Sequence, residues 1–339
     1  MSRIAVIGAG AWGTALSITL GRKGTHEVRL WAHEKQVCES ILNQRENQLF
    51  LSGQKIPDCV TAHNNVAEAI AGAEIVVSVM PSQHCRRLFE QMRPRLDPDT
   101  PIVSATKGLE ENSLLRMTEV IAEVAEGDRG KLRIAALSGP SFALEVARGD
   151  PTAVTVASHD LGLGLIVQKE FSDSSFRVYT NDDVIGVELG GALKNSVALA
   201  AGICAGLGLG HNSIAALITR GLAEMTRLVM ACGGKAETMS GLAGMGDLVL
   251  TCTGGLSRNR SVGVELGRGR KLPEILAGMH GTVAEGIFTT SAAIGLARRH
   301  QVELPIIEQI HAILHEGKAP RDAISELMSR SGKSESLRA

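Results

Sequence analysis

The sequence predicts an α/β protein in which a mostly parallel sheet with helices on both faces is followed by an all-helical second part. Short β-branched runs alternate with helix-like segments through the first half of the chain, which is typical of βαβ units. These runs are apolar without polar alternation, as expected for strands covered on both faces. Strand signals stop after Tyr179, and the pattern that follows is helical.

The length and the pattern together predict two domains. A chain of 339 residues is too long for one ordinary core. We expect the first domain at 1–180, the second at 181–330 and a flexible tail at 331–339. Asn181, Asp182 and Asp183 offer N-cap chemistry for a long helix at the start of the second domain. The predicted strands of the first domain are 4–7, 28–31, 75–79, 101–104, 132–137, 153–156 and 176–179.

The composition argues against several classes of partner. The chain has 35 Lys and Arg against 36 Asp and Glu, so the balance of charge gives no reason to expect nucleic acid or an anionic membrane. Its six cysteines show no metal-ligand spacing, which favours reduced thiols in a cytoplasmic protein. We see no signal peptide, and no uninterrupted apolar run approaches the ~20 residues of a membrane span.

A glycine-rich turn follows the first predicted strand. Residues 8–13, Gly-Ala-Gly-Ala-Trp-Gly, match G-x-G-x-x-G and precede a helix-like segment at 14–20. Gly8 permits the tight turn, Gly10 lets the backbone approach a pyrophosphate, and Gly13 allows the helix to pack closely on the strand. The helix N-terminus would face the phosphates with free N–H groups. The motif in this context predicts a Rossmann-type dinucleotide-binding domain.

The end of the second strand bears on the choice of dinucleotide. An acidic side chain there binds the ribose 2′-hydroxyl and repels a 2′-phosphate. Here Ala32 and His33 follow the strand, and Glu34 stands one position beyond. His33 either meets a phosphate or is an ordinary exposed loop residue. The lack of an acid directly at the strand end favours NADPH as the cofactor, with NADH as a poorer substitute.

One isolated lysine stands out in the second domain. Lys194 is the only Asp, Glu, Lys or Arg in 189–210, and its ammonium either extends along its methylenes to water or takes part in chemistry. Lys107 and the turn Ser138-Gly139-Pro140-Ser141 each follow a predicted strand, so both should lie at the carboxyl edge of the sheet, where ligands bind. The turn also offers an N-cap serine for the next helix.

A histidine pair near the C-terminus has the spacing of a metal motif without its acid. His311 and His315 stand at i and i+4, but the glutamate of H-E-x-x-H is missing. We therefore predict no metal site.

A set of longer motifs runs over most of the chain. They are GAGAWGTAL (8–16), ATKG (105–108), SGPSFALEV (138–146), GGALKN (190–195), ITRGLAEM (218–225), GLAGMGDLVLTCT (241–253), SRNR (257–260) and VAEG (283–286). On these motifs the chain resembles the NAD(P)-dependent glycerol-3-phosphate dehydrogenase family. They occur in the family's order, which makes the set far more specific than the glycine turn alone.

The resemblance implies reduction of dihydroxyacetone phosphate to sn-glycerol 3-phosphate for phospholipid synthesis, with Lys194 as the proton carrier. The chemistry is reasonable, because an ammonium can stabilise and protonate a ketone oxygen that gains negative charge, and the pKa of a lysine falls readily in an apolar setting. Asp247 would hydrogen-bond this ammonium or a substrate hydroxyl, or cap the helix that follows it. Lys107 would act as a second electrophile or an orienting donor.

The resemblance also implies the binding residues. Arg258 suits bidentate contact with the substrate phosphate and would also touch the cofactor phosphates, whereas Arg260 is left outside the site. The other implied substrate contacts are Gly139, Ser141, Ser257 and Asn259. The other implied cofactor contacts are Ala11, Trp12, Lys107, Ala143, Val283 and Glu285, and the chain reads Val-Ala-Glu-Gly at 283–286 where many relatives read Val-Glu-Gly.

Two alternatives stay open from the residues alone. The first is another two-domain hydroxyacid or phosphosugar dehydrogenase with a similar helical domain. The second is a nucleotide-binding sensor without turnover, against which the two lysines, Asp247 and the Ser-Arg-Asn run argue. We expect a homodimer, since such enzymes commonly pair.

Overall fold

A computed structural model describes residues 2–125, 132–279, 284–332 and 334–335. The first half of the chain holds all the strands found in these residues. They are β1 (Ser2–Ile7), β2 (His26–Trp31), β3 (Glu46–Asn47), β4 (Leu51–Lys55), β5 (Val60–His63), β6 (Ile75–Ser78), β7 (Ile102–Ser104), β8 (Ile134–Ser138), β9 (Thr152–Ala157) and β10 (Phe176–Asn181). The helices between them are α1 (Ala11–Arg22), α2 (Lys35–Gln44), α3 (Val66–Ile70), α4 (Cys85–Met92), α5 (Met117–Ala125), α6 (Ala143–Arg148) and α7 (Leu161–Phe171).

Eight of the strands form one twisted layer in the order β10-β9-β8-β7-β6-β1-β2-β5. Neighbouring strands are parallel except for β8 and β9, which run antiparallel. The chain leaves β1 in one direction towards β2 and returns on its other side as β6, so the topological switch point lies between β1 and β6. Ligands of such sheets bind at the carboxyl edge beside this point.

Both faces of the sheet are covered by apolar side chains, as predicted. On β1, Ile4 and Val6 belong to one buried cluster, whereas Ala5 and Ile7 belong to another on the opposite face. Because successive strand residues point to opposite faces, a strand buried on both sides needs an uninterrupted apolar run. The predicted α/β class is confirmed.

All seven predicted strands are present, but three short ones were not predicted. The β3–β4 hairpin is small and largely exposed, and only Leu51 and Asn47 of it are buried. The four residues of β5 alternate between buried and less buried positions. None of these segments has an apolar run, so the pattern used for the other strands could not detect them.

The second part of the chain is helical in the described residues. Its helices are α8 (Val184–Gly206), α9 (His211–Ala231), α10 (Ala236–Met239), α11 (Asp247–Thr253), α12 (Arg258–Gly267), α13 (Leu272–Ala277), α14 (Glu285–His300), α15 (Pro305–His315) and α16 (Pro320–Met328). A π-helical turn at Leu242–Gly246 leads directly into α11. The described part of the predicted tail 331–339 forms no helix or strand.

Helix α8 is the centre of this second part. The predicted N-cap is correct: the Asp183 carboxylate accepts a hydrogen bond from the Gly186 backbone N at 2.8 Å. Within the described residues α8 is the one helix with the length and apolar composition of a membrane span, and nearly all of that span is buried inside the protein. Such a helix is stable only if other helices cover it on all sides.

Helices α8 and α12 cross with their backbones in direct contact. Gly202 and Gly206 of α8 face Gly263 and Gly267 of α12, and a Cβ at any of the four would overlap a backbone carbonyl of the other helix. Small residues spaced by four allow such close approach because they present the same face of each helix. The crossing fixes the start of α12 relative to the centre of α8.

Replacing Gly263 by Ala tests this contact. Alanine favours an isolated helix by about 1 kcal/mol over glycine, but overpacking costs about 1–3 kcal/mol, and here no flexible side chain can yield. We expect the Tm of Gly263→Ala to fall by about 2–8 °C in a thermal melt. Gly255→Ala is the control, since nothing lies within 4 Å of the new methyl group. An unchanged or raised Tm for Gly263→Ala would contradict the close crossing.

Candidate active site

The glycine turn has the geometry that a dinucleotide requires. Gly8 has φ +126°, and a Cβ there would lie 2.5 Å from the Val79 carbonyl oxygen at the end of β6. Gly10 is the N-cap of α1, no side chain caps that helix end, and the space beside Gly10 is open. The first-turn N–H groups of α1 are therefore available to an anion. The turn fits the pyrophosphate of a nicotinamide dinucleotide.

A buried asparagine that the sequence analysis missed supports this turn. Asn47 of the β3–β4 hairpin donates from Nδ2 to the Ala9 carbonyl oxygen and to Thr14 Oγ1, both at 2.8 Å. The side chain is fully buried, so its two bonds fix the backbone between Gly8 and Gly10 without competition from water. An isolated Asn in a polar segment carries no sequence signal for this role.

Two further predicted cofactor residues lie in the first turn of α1. Ala11 is its first residue, and the ring of Trp12 follows, with its centroid 6.5 Å from that of Phe176. The indole Nε1 of Trp12 is buried and has no hydrogen-bond partner among the described residues. An unused buried donor at the phosphate end of the helix is a further feature that fits a polar ligand.

The predicted discriminator residue lies at the end of β2. His33 is exposed in the turn between β2 and α2, and its ring contacts that of Trp31 with centroids 5.9 Å apart. Glu34 is the N-cap residue of α2, but its side chain does not cap the helix. No carboxylate stands at position 32 or 33.

The structure brings Lys107, Lys194 and Asp247 together in one ion triad, in which Lys194 and Asp247 are buried and Lys107 is partly buried. Lys194 Nζ donates to Asp247 Oδ1, and Lys107 Nζ donates to Asp247 Oδ2 at 2.7 Å. Lys107 also donates to the Gly139 carbonyl oxygen at 3.2 Å. The three residues come from the loop after β7, the centre of α8 and the first turn of α11.

Asp247 does not act as a helix cap. It is the first residue of α11 rather than its N-cap, and its carboxylate bonds both lysines. The predicted hydrogen bond to the Lys194 ammonium is present. The side chains of Lys194 and Asp247 are 7% and 1% exposed, so the bond is shielded from water.

Burial and neighbouring charges together shift the pKa values of Lys194 and Asp247. Desolvation lowers the pKa of Lys194 to about 7; Asp247 opposes this shift, and the charge of Lys107 adds to it. Burial would raise the pKa of Asp247, but the two ammoniums outweigh it and hold that pKa below its usual value. Asp247 is thus an anion, while Lys194 can exist as ammonium or amine near neutral pH.

Thr251 is a further member of the cluster that the sequence analysis missed. Its Oγ1 donates to the Asp247 backbone oxygen at 2.6 Å and accepts from Lys194 Nζ at 2.9 Å. Residues at i and i+4 lie on the same face of a helix, so Asp247 and Thr251 turn together towards Lys194. The i, i+4 spacing of Asp247 and Thr251 within GMGDLVLTCT could have predicted that Thr251 joins the cluster.

The turn after β8 differs from the prediction in its cap. Helix α6 begins at Ala143, and its N-cap is Phe142 instead of a serine. Ser141 Oγ donates to the Gly139 carbonyl oxygen at 2.9 Å, because Phe142 is still extended and the helix begins too late for Ser141 to cap it. The predicted N-cap serine is therefore wrong. Gly139 and Ser141 nevertheless lie beside Lys107, and Ala143 packs against the sheet core.

The Ser-Arg-Asn run lies at the start of α12. Ser257 is buried and caps the helix, accepting from the Arg260 backbone N at 3.2 Å. Asn259 is buried, and its Oδ1 accepts from the Gly286 backbone N at 2.9 Å. Arg258 is exposed between them, and no hydrogen bond of its guanidinium occurs in the part of the chain that the structure describes.

Glu285 connects the helical part to the sheet. Its Oε2 accepts from Ser82 Oγ at 2.9 Å and from Gln83 Nε2 at 3.3 Å, both in the turn after β6. Burial raises the pKa of Glu285, while these hydrogen bonds and the charge of Arg258 oppose the rise. Ser82 and Gln83 were not predicted, and Val283, which was, lies outside the described residues.

The two C-terminal histidines lie together on α15. The ring centroids of His311 and His315 are 4.7 Å apart, and His311 Nδ1 lies 3.5 Å from a Glu316 oxygen. Among the described residues, no three His, Cys, Asp or Glu side chains form a group that could hold a metal ion.

Known proteins match the whole of this architecture. The family model for the NAD-dependent glycerol-3-phosphate dehydrogenase N-terminus matches residues 3–163, and that for the C-terminus matches 183–325. The glycerol-3-phosphate dehydrogenase [NAD(P)+] of Koribacter versatilis is 67% identical over 99% of both chains. That of Acidobacterium capsulatum is 56% identical over 99% of this chain and 100% of its own.

A solved structure agrees in fold and sequence. The crystal structure of glycerol-3-phosphate dehydrogenase from Coxiella burnetii superposes with a TM-score of 0.92 at 42% identity, covering 97% of this chain and 99% of the other. Since both family models match in order and the relatives align over nearly their full length, this chain belongs to the NAD-dependent glycerol-3-phosphate dehydrogenase family.

Proposed function

We propose that this chain interconverts dihydroxyacetone phosphate and sn-glycerol 3-phosphate, with NADPH or NADH as the hydride carrier. The observation that carries the proposal is the ion triad of Lys107, Lys194 and Asp247 at the carboxyl edge of a sheet with a dinucleotide turn. The printed names of the relatives support the substrate and the use of either cofactor. The product supplies the glycerol backbone of phospholipids.

In this proposal the two halves of the chain have different binding roles. Residues 1–180 bind the dinucleotide, and 181–330 bind the substrate and hold the proton carrier. Gly8, Gly10, Ala11, Trp12 and Gly13 would hold the pyrophosphate end. Lys107, Ala143, Arg258, Val283 and Glu285 would complete the cofactor site. We further propose a cytoplasmic homodimer.

Lys194 carries the proton in both directions. When the ketone is reduced, its oxygen gains negative charge, and the Nζ ammonium stabilises that charge and then protonates it. In the reverse direction the neutral amine accepts the hydroxyl proton. A pKa near 7 serves both directions because neither form is strongly disfavoured. The bound nicotinamide cofactor supplies or accepts the hydride.

The neighbours of Lys194 orient it and exclude water. Asp247 and Thr251 hold the Nζ atom from two sides, and both side chains are buried. Lys107 shares the Asp247 carboxylate and brings a second positive charge that would polarise the same oxygen. A sensor without turnover would have no use for this arrangement, so we favour the enzyme over that alternative.

The substrate phosphate would meet Arg258. Its exposed guanidinium can offer two parallel donors, which suits a phosphate. Ser257 and Asn259 are buried beside it and already partly used by the helix start and by α14. Gly139 and Ser141 would contact the substrate from the sheet side.

Lys194→Met tests the proton carrier. We expect kcat to fall at least ~100-fold, because general acid catalysis contributes that much or more, while cofactor affinity stays close to that of the wild type. Steady-state kinetics and a cofactor titration measure the two quantities. Lys235→Met is a matched control, because that lysine is exposed and pairs with Asp182 away from the triad. Near-normal turnover by Lys194→Met would remove Lys194 from the mechanism.

The pH dependence should report on the triad. Reduction needs the ammonium, so kcat/KM should fall as pH rises through about 7, whereas the oxidative kcat/KM should rise through the same range. Asp247 raises and Lys107 lowers the pKa of Lys194, so Asp247→Asn should shift the midpoint to lower pH and Lys107→Met to higher pH. Residual activities suffice to measure these midpoints. If both variants shifted the pH midpoint in the same direction, or if neither shifted it, the electrostatic coupling of Lys194 to Asp247 and Lys107 would be contradicted.

The reaction itself is tested by its need for phosphate. In a steady-state assay with NADPH or NADH, cofactor oxidation should depend on dihydroxyacetone phosphate and be negligible with unphosphorylated dihydroxyacetone. Arg258→Ala should raise the KM for the phosphorylated substrate about tenfold or more, as expected for loss of a hydrogen-bonded charge. Arg260→Ala is the control outside the site. Equal rates with both ketones would overturn the proposed substrate, and an unchanged KM would remove Arg258 from the pocket.

A further inference from the structure

The turn that follows β2 is tied to the elements on both sides of it. The Gly8 backbone N donates to the Trp31 carbonyl oxygen at 3.2 Å, and the Ala32 backbone N donates to the His63 carbonyl oxygen at 2.8 Å. These bonds join the glycine turn, the β2–α2 turn and the end of β5 along one edge of the sheet. The adenosine end of a dinucleotide bound at the glycine turn would lie over this edge.

Asn64, directly after β5, holds the β2–α2 turn through its side chain. Its Nδ2 donates to the Ala32 carbonyl oxygen at 2.7 Å and to the His33 carbonyl oxygen at 2.9 Å. The Trp31 indole Nε1 donates in turn to the Asn64 carbonyl oxygen at 3.2 Å. We call these contacts among Trp31, Ala32, His33 and Asn64 the Asn64 clamp.

The clamp fixes His33 in an environment suited to an anion. The His33 imidazole is exposed, rests against the Trp31 ring, and makes no hydrogen bond within the residues that the structure describes. The neighbouring basic groups have partners of their own: Lys35 pairs with Glu39 at 3.6 Å and His63 with Glu68 at 3.7 Å. An imidazole N–H held at this position can donate to a phosphate oxygen.

We propose that Asn64 is a positioning residue that fixes His33 against the 2′-phosphate of the cofactor and so sets a preference for NADPH over NADH. Both amide hydrogens of Asn64 are used within the protein, so it acts through His33 and not by touching the phosphate with its N–H groups. The inference rests on the proposed placement of the dinucleotide at the glycine turn.

Two nucleotide fragments isolate this effect from catalysis. Adenosine 2′,5′-bisphosphate carries the 2′-phosphate, and adenosine 5′-monophosphate has a 2′-hydroxyl in its place. By calorimetric titration, Asn64→Ala should weaken the bisphosphate about tenfold and leave the monophosphate within about twofold, since loss of one charge-assisted contact has that size. His33→Ala should show the same pattern. The double variant should bind no more weakly than His33→Ala alone, because Asn64 acts through His33.

Asn65→Ala is the matched control. Asn65 is the next residue and is also an exposed asparagine, but its side chain caps α3 by accepting from the Ala67 backbone N and takes no part in the hydrogen bonds of the clamp. It should bind both fragments as the wild type does. In steady-state assays the ratio of kcat/KM for NADPH to that for NADH should fall in Asn64→Ala by the same factor as the bisphosphate affinity.

Results that contradict the role of Asn64 can be told apart from results that contradict the proposed reaction. An unchanged fragment ratio in Asn64→Ala, or equal weakening of both fragments, overturns the role in discrimination and leaves only a structural one. Tighter binding of the monophosphate than of the bisphosphate by the wild-type protein would also overturn the role in discrimination. If the fragments behave as expected while dihydroxyacetone phosphate is not reduced, the proposed reaction fails and the Asn64 clamp stands.

Discussion

The Asp247 carboxylate, buried between two ammoniums, is the interaction on which the rest of the site depends. When Lys194 is protonated, the two ammoniums and the carboxylate carry a net charge of +1 at a site where Lys194 and Asp247 have little access to water. Removing a charge from water costs several kcal/mol unless close partners offset it, so each member of the triad stabilises the charges of the others. The carboxylate also joins a loop of the sheet half to two helices of the other half. These two ionic contacts thus hold the Lys194 ammonium and connect the sheet half to the helical half.

The packing of the helical part also positions residues of the site. Helix α8 is covered on all sides, and the glycines it shares with α12 let the two backbones touch. That contact sets where α12 begins, and with it the positions of Ser257, Arg258 and Asn259. Asn259 then caps the Gly286 amide, and Glu285 bonds the turn after β6. A chain of contacts therefore runs from the buried lysine to the turn after β6, and Gly8 of the glycine turn packs against Val79 just before that turn.

The sequence alone predicted the features that depend on residues close to one another in the chain. Strands buried on both faces have unbroken apolar runs, and the spacing of Gly8, Gly10 and Gly13 follows from the turn itself. The meeting of Lys194 with Asp247, 53 positions apart, is not a local property, and only the resemblance to a family pointed to it. Asn47, Asn64 and Ser82 were missed because each supports backbone or side chains of distant segments from a short polar stretch. The predicted N-cap serine of α6 was wrong because Phe142 stays extended, so that the helix begins one residue later than expected.

The charge in the middle of α8 has a consequence outside the site. Its 23 residues have the composition of a lipid-spanning segment, and Lys194 stands at the eleventh of them. On scales derived from insertion by the translocon, a lysine at the centre of a helix adds about 3 kcal/mol to the free energy of entering the bilayer. While the newly made segment is not yet packed against its neighbours, the same ammonium disfavours its misdirection into lipid.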